Sequence, residues 1–223
     1  MNIAKSYDFF QPEKLDGRIH ILGCGAIGST VAENLVRFGI TKITLYDFDI
    51  VESHNIANQM FRQQDIGKYK VDALADILYE INPEIKNDIK LVKEGYTGQK
   101  LSGYVFLCVD SIDIRREVAE KYQSNQFIKA MFDFRMRLTD AQHYAADWKN
   151  KKMIEDFLAS MQFSHEEAMA ETPVSACNMT LSVVPTVRHI VAEGVANFIN
   201  FVKTRDLKKL ILVDTFTHTV DAF

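Results

Sequence analysis

A doubly wound α/β chain, with a mostly parallel sheet and an irregular C-terminal part ending in β-strands, is the fold class this sequence predicts. Three observations predict it. A short apolar run, Ile19–Leu22, enters a glycine-rich turn, Gly23-Cys-Gly-Ala-Ile-Gly28, and leaves it in a stretch of helical periodicity. Apolar runs of strand length then alternate with amphipathic stretches of helix length through the first half. One run, Tyr104–Val109, is almost continuously apolar, as a strand covered on both faces requires. The pattern is Rossmann-like.

Taken in order, the elements are a strand at Ile19–Leu22, a helix at Ser29–Phe38, a strand at Lys42–Tyr46 and a helix at Lys68–Ile81. Asn82-Pro83 stops that helix, since proline cannot continue it and restricts the residue before it. A short strand near Lys90–Val92, the buried strand at Tyr104–Val109, a helix at Ile112–Tyr122 and a strand at Phe127–Phe134 follow. His143–Glu171 mixes charges, methionines and Trp148 with only partial periodicity, and reads as an insertion, lid or crossover. After Pro185, Thr186–Lys203 carries Val187, Ile190, Val191, Val195, Phe198 and Ile199 at helical spacing. Leu210–Val213 and Thr215–Val220 read as terminal strands. Residues 1–223 are expected to form a single unit: an N-terminal extension (1–17), a nucleotide-binding core (18–135), and a remainder of crossover, long helix and strands (136–223).

The glycine turn fits a phosphate-bearing ligand. Gly23 permits a tight exit from the strand, Gly25 lets the backbone approach phosphate oxygens, and Gly28 lets the helix lie close to the sheet. The helix that follows offers unpaired N–H groups and the positive end of its dipole to the anion. Asp47 ends the second strand 24 residues after Gly23, the offset at which an acid takes ribose hydroxyls.

Composition narrows the class. With 223 residues, 47% hydrophobic and 25% charged, the chain can bury one substantial core. A net charge of −4 gives no electrostatic footprint for nucleic acid, although local basic patches stay open; nucleic acid is not expected as a partner, a modified tRNA as substrate excepted. Cys24, Cys108 and Cys177 are odd in number and widely spaced, which suits a reducing compartment and excludes a zinc ribbon. No signal peptide and no run of about 20 apolar residues is read, so a cytoplasmic location with no membrane partner is expected. His20, inside the first strand, reads as a packed core histidine.

From Asp47 the chain continues Asp-Phe-Asp-Ile-Val-Glu-Ser-His-Asn-Ile-Ala-Asn-Gln-Met-Phe, then Asp65-Ile-Gly-Lys-Tyr-Lys-Val71, and later Leu107-Cys-Val-Asp-Ser111. With the glycine turn, these ordered motifs resemble the ThiF/MoeB/HesA superfamily, relatives of the ubiquitin-activating enzymes, over about Arg18 to Asn200. The resemblance implies adenylation of a carboxylate with ATP and Mg²⁺, commonly at the C-terminal glycine of a ubiquitin-like or sulfur-carrier protein. It also implies a homodimer.

Carried over position by position, the resemblance implies that Gly23, Gly25, Ala26, Ile27 and Gly28 line the phosphates and that Asp47, with Asp49 beside it, holds the ribose side. Asn55, Gln59 and Lys70 would lie near the phosphates, and Asp110 would hold Mg²⁺. The chemistry suits these types: lysine is a point cation for phosphate, and carboxylate oxygen is what hard Mg²⁺ prefers. Singly, each has a plain alternative, with Lys70 a solvated surface lysine, Asp110 an N-cap, and Asp49 and Asn55 bonding their own turns. The family's arginine three residues after the asparagine is replaced by Asn58, and residues 1–17 hold no arginine. Arg62 and Arg135 are the expected substitutes. Cys177, eight residues before Pro185, is similar in place to a cysteine that captures the activated carrier as a thioester, or else is a small buried hydrophobe. Two further readings stay open: adenylation of a small-molecule, nucleoside or peptide carboxylate, and a nucleotide-binding scaffold of weak activity.

Overall fold

The computed structural model describes residues 1–170, 173–174 and 181–223. Its elements are α1 (Ala4–Tyr7), β1 (Ile19–Leu22), α2 (Ala26–Arg37), β2 (Ile43–Tyr46), α3 (Lys70–Ile81), β3 (Lys90–Val92), β4 (Gly103–Leu107) and α4 (Ile112–Tyr122). They continue with β5 (Ile128–Met136), β6 (Asp140–Asp147), α5 (Lys151–Ala159), α6 (His165–Ala170), α7 (Val184–Thr204), β7 (Leu210–Asp214) and β8 (Thr219–Ala222).

The strands form one eight-stranded sheet in the order β3-β2-β1-β4-β5-β6-β7-β8. The first five strands in that order pair in parallel, and β5 through β8 pair antiparallel. The chain winds outward from β1 in one direction to β3 and in the other to β4 and β5. The order therefore reverses between β1 and β4, and the crevice at the carboxyl ends of those strands is where open α/β sheets bind ligands.

Alternate strand residues serve two cores, because successive side chains point to opposite faces. Ile19, Ile21, Phe106, Phe132 and Phe134 join Val31, Leu35, Leu74, Val191 and Phe198 from α2, α3 and α7. Leu22, Val105, Leu107 and Met131 join Val118, Trp148, Ile154 and Phe157 on the face covered by α4 and α5. His20 lies on this second face, 5% exposed, its Nδ1 2.9 Å from the Tyr46 hydroxyl, a core histidine as expected.

The second half is more regular than its sequence suggests. His143 is not part of an insertion but the fully buried middle of β6, and α5 and α6 follow that strand. The last strand is Thr219–Ala222 rather than Thr215–Val220. Asp214 Oδ1 accepts from the amides of Phe216 and Thr217, both at 3.0 Å, and holds those residues in a turn. Helix α2 begins at Ala26, three residues before the expected start, because Gly25 itself is the N-cap. No helix among the described residues is long and apolar enough to cross a membrane.

Candidate functional site

A cavity of about 970 Å³ opens at the switch point, at the upper end of the range small-molecule sites occupy. Its walls bring together Gly23, Gly25, Ala26, Ile27, Asp47, Asp49, Gln59, Lys70, Asp110 and Arg135, residues scattered over more than half the chain.

The glycine turn is built by close backbone approach. Gly23 has φ +91°, and a β-carbon there would lie 2.8 Å from the Cys108 carbonyl, so only glycine lets β1 and β4 exit side by side. At Gly25 a β-carbon would meet nothing within 4 Å, since that side faces the cavity. The first helical bond of α2 runs from the Ser29 amide to the Gly25 carbonyl at 3.0 Å, and no side chain caps the helix. The N–H groups before Ser29 belong to the unpaired first turn.

Asp47 closes the turn from below. Its Oδ2 accepts from the Cys24 amide at 2.6 Å and its Oδ1 from the Asp49 amide at 2.9 Å. Burial pushes its carboxyl above the usual range, and these two amides pull the other way. A carboxylate has about four lone-pair sites, so acceptor capacity remains for ribose hydroxyls.

Lys70 begins α3 but is 8% exposed, not a solvated surface lysine. A bridge between Ile50 and Tyr69 and the bond from the Lys70 amide to the Asp49 carbonyl, 2.9 Å, lay the start of α3 against the segment after β2. Lys70 Nζ then meets Asp49 Oδ2 at 2.7 Å. Asp49 thus bonds a lysine rather than only its own turn. Gln59 lines the cavity, and its side-chain oxygen is shielded from solvent and has no hydrogen-bond partner among the described residues.

Asp110 projects from the loop after β4. It is exposed and makes no hydrogen bond or ion pair among the described residues, and Ser111, not Asp110, caps α4. No group of three His, Cys, Asp or Glu able to hold a metal occurs among the described residues. One free carboxylate beside an anion pocket fits Mg²⁺, which binds through one or two carboxylates, substrate phosphates and waters.

Three expected residues lie elsewhere. Gly28 is buried in the first turn of α2 against the Gly23 carbonyl and is not part of the cavity wall. Asn55 is not part of the cavity wall. It is buried, and its Oδ1 accepts from the Glu52 amide at 2.9 Å, closing a local turn. Arg62 is turned away from the cavity, with Nε 3.0 Å from Asp65 and Nη1 bidentate to Glu80 at 2.8 and 2.9 Å. Arg135 does reach the cavity, but its donors are engaged: Nε with Asp133 at 2.7 Å, Nη1 and Nη2 with Ser160 at 2.7 and 2.9 Å. Cys177 lies outside the described residues. Burial raises the thiols of Cys24 and Cys108, which suits structural rather than nucleophilic roles.

The sequence did not single out the far wall. Tyr144, Ser160, Phe163 and His165 line it, with Arg115 and Arg135 on the floor between the halves. The available signal was Asp133 and Arg135 within the Ala130–Met136 stretch of β5, which is otherwise apolar, since an unneeded charge is seldom kept in a covered strand.

Comparison with known proteins bears on the family and the fold. Ubiquitin-like modifier-activating enzyme 5 of Arabidopsis thaliana is 43% identical over 67 residues, which cover 30% of this chain and 16% of that one. The Caenorhabditis elegans enzyme of that name is 30% identical over 134 residues, 53% of this chain and 31% of its own. This chain therefore spans less than a third of the length of these curated relatives. Among solved structures, Escherichia coli MccB with ATP superposes with a TM-score of 0.71 at 18% identity, covering 95% of this chain and 65% of that one. MccB with MccA gives 0.75 at 18%, covering 100% and 71%, and PaaA gives 0.69 at 16%, covering 99% and 68%. Likeness at that identity establishes the fold, while the ThiF family itself matches residues 10–210, nearly the whole chain. With the fold and the motifs in agreement with that match, this chain belongs to the ThiF family.

Proposed function

We propose that the chain is an ATP-dependent adenylating unit that joins a carboxylate to the α-phosphate of ATP and releases pyrophosphate. One observation carries the reading: Gly25, Asp47, Lys70 and Asp110, drawn from four separate segments, converge on one cavity at the switch point. The amides of the α2 N-terminus and Lys70 would bind the phosphates, and Asp47 would accept from the ribose. Asp110 would hold Mg²⁺, which when bound supplies neutralising charge at the phosphates. The incoming carboxylate oxygen forms a bond to the α-phosphorus as the bond to the pyrophosphate oxygen breaks. No covalent enzyme group is needed for that step.

The relatives' names support a ubiquitin-like protein as the source of the carboxylate, and MccB, crystallised with ATP and with MccA, supports a peptide. In either case the tail would enter past Tyr144 and Phe163, and two copies of the chain would form a homodimer. Subsequent capture of the acyl group by Cys177 as a thioester is a second step, tested by the loss of a thiol-sensitive adduct in Cys177→Ser.

The experiment is ATP–pyrophosphate exchange with Mg²⁺ and a panel of carboxylates, from Gly-Gly-ended carrier proteins to small acids. Exchange in the parent protein that disappears in Asp110→Asn is the expected result. Absence of any calorimetric binding of Mg·ATP overturns the proposal. A second reading, nucleotide binding without turnover, draws on the arginines: Arg62 is turned away, and Arg115 and Arg135 are both bonded to Asp133. Tight ATP binding with no exchange for any acid selects it.

A further inference from the structure

Asp133, on β5 beneath the cavity, has no exposed surface. A carboxylate so placed keeps its charge only through partners, and it has two. Oδ1 accepts from Nη1 of Arg115 on α4, and Oδ2 accepts from Nε of Arg135 at 2.7 Å.

Neither arginine stops there. Arg115 also donates through Nη1 to the Phe134 carbonyl at 2.6 Å and through Nη2 to the carbonyl of Val109, the residue before Asp110. Arg135 continues to the Ser160 carbonyl and hydroxyl at the end of α5, with its guanidinium 4.2 Å from the centre of the Tyr144 ring. One carboxylate thus anchors two forks, one reaching the loop that carries Asp110 and the other the far wall of the cavity.

Among the described residues the Asp110 side chain has no hydrogen bond, so its backbone fixes its place. That backbone is held on both sides: the Cys108 amide bonds the Leu22 carbonyl at 2.8 Å, the Arg115 side chain holds the Val109 carbonyl, and Ser111 accepts from the Arg115 amide at its carbonyl, 3.3 Å, and from the Ile114 amide at its Oγ, 3.4 Å. Arg115 is the side chain that ties the residue directly before Asp110 to the buried carboxylate, and a guanidinium is aimed by whatever its other nitrogens bind.

We infer that Asp133 is a positioning residue, which through Arg115 sets the Asp110 loop for the metal and through Arg135 sets the α5 wall where the acid substrate lies. The inference rests on the proposed reading of Asp110 as the metal's carboxylate. Groups that orient a metal ligand from behind carry about 10- to 100-fold of metal affinity when substituted. A cluster that only glued strand to helix would lower thermal stability and leave the metal requirement unchanged.

The test titrates the full chain with the nonhydrolysable analogue AMPCPP by calorimetry across a series of free Mg²⁺ concentrations. Parent, Asp133→Asn and Arg115→Lys are compared, and amide exchange is measured on each without ligand. In the variants the Mg²⁺ concentration that gives half-maximal tightening of AMPCPP rises about tenfold or more, and exchange at Cys108 quickens. Arg115→Lys retains a cation beside Asp133 but cannot reach Val109 with a second arm, so it decides the matter if Asp133→Asn fails to fold. A folded variant with a Mg²⁺ requirement within about twofold of the parent overturns the inference. A parent that binds no AMPCPP with Mg²⁺ instead overturns the proposed function, and this inference with it.

Discussion

Gly28, in the first turn of α2, packs so closely beneath Gly23 that a β-carbon at 28 would overlap the Gly23 carbonyl oxygen. That carbonyl is backbone and cannot swing aside, so relief requires the turn itself to move. Gly25, three residues earlier, has open space where its β-carbon would stand, so what an alanine there meets is its own backbone, at φ −74° and ψ −149°, and no neighbouring atom.

The two glycines therefore separate fold from ligand. Gly28→Ala carries an overpacking cost of about 1–3 kcal/mol or more, at about 2–4 °C per kcal/mol for a chain of this size. A fall in melting temperature of about 5 °C or more is expected by scanning calorimetry. Gly25→Ala clashes with no neighbour, so its cost to the fold is confined to the backbone at 25, but it places a methyl against the phosphates, weakening ATP about tenfold or more as charge-assisted contacts to the amides are lost. A Gly25→Ala chain that binds ATP as the parent does would remove the turn from the site.

Lys70 offers a test of which end of the nucleotide it meets. Its Nζ is paired with Asp49, which is half exposed and remains solvated when the lysine is removed. Lys70→Met is expected to weaken ATP about tenfold or more, the value of a charged hydrogen bond to phosphate, while adenosine affinity changes less than about twofold. Equal losses for ATP and adenosine would mean that Lys70 props the pocket rather than meeting phosphate.

The first strand, its glycine turn and the following helix were legible because their signals are local: an apolar run, glycines at fixed offsets, then helical periodicity. The helix at Ile112–Tyr122 has the boundaries expected of it, with Ser111 as its cap. β6 was not legible because its alternation is carried by small or polar residues. Ala141, His143 and Ala145 face α7, and a buried histidine between alanines carries almost no hydrophobic signal. The nucleotide half of the cavity could be named from motifs, whereas Asp133, Tyr144 and Ser160 acquire meaning only once β5, β6 and α5 are side by side. Asn55 and Arg62 show the converse limit: each stands in a motif, but neither side chain faces the cavity, because nearer partners hold it.

The two buried histidines set an acid limit on stability. Burial lowers both His20 and His143 from the ordinary 6.5 to about 4. Between pH 6.5 and 4 the unfolded chain binds protons that the folded chain refuses, so stability falls as pH is lowered through that window and is fully present above it. With two groups titrating together, the steepest loss approaches about 2.7 kcal/mol per pH unit. Urea midpoints at pH 7.5 and 5 are expected to differ accordingly, with both imidazoles neutral by NMR at pH 5. Equal midpoints would show that the histidines are solvated in the native state.

Helix α7 reaches β5 and β6 through a single missing side chain. At Gly194 a β-carbon would overlap the edge of the Phe134 ring and stand 3.1 Å from His143 Nδ1. Alanine is the better helix former by about 1 kcal/mol, so propensity alone predicts that Gly194→Ala stabilises the chain. The ring decides otherwise, because Phe134 is 1% exposed and packed against Phe106 and His143 with nowhere to turn. Overpacking of about 1–3 kcal/mol is expected to exceed the propensity gain, giving a net loss by urea denaturation. Phe134→Leu creates a space and is destabilising alone, but in combination it admits the new methyl. The double variant is therefore expected to be more stable than the sum of the single losses by about 0.5–3 kcal/mol, the coupling of residues in contact. Strict additivity would mean that α7 moves away from the sheet as a body, and the close approach at Gly194 would then not be what fixes it there.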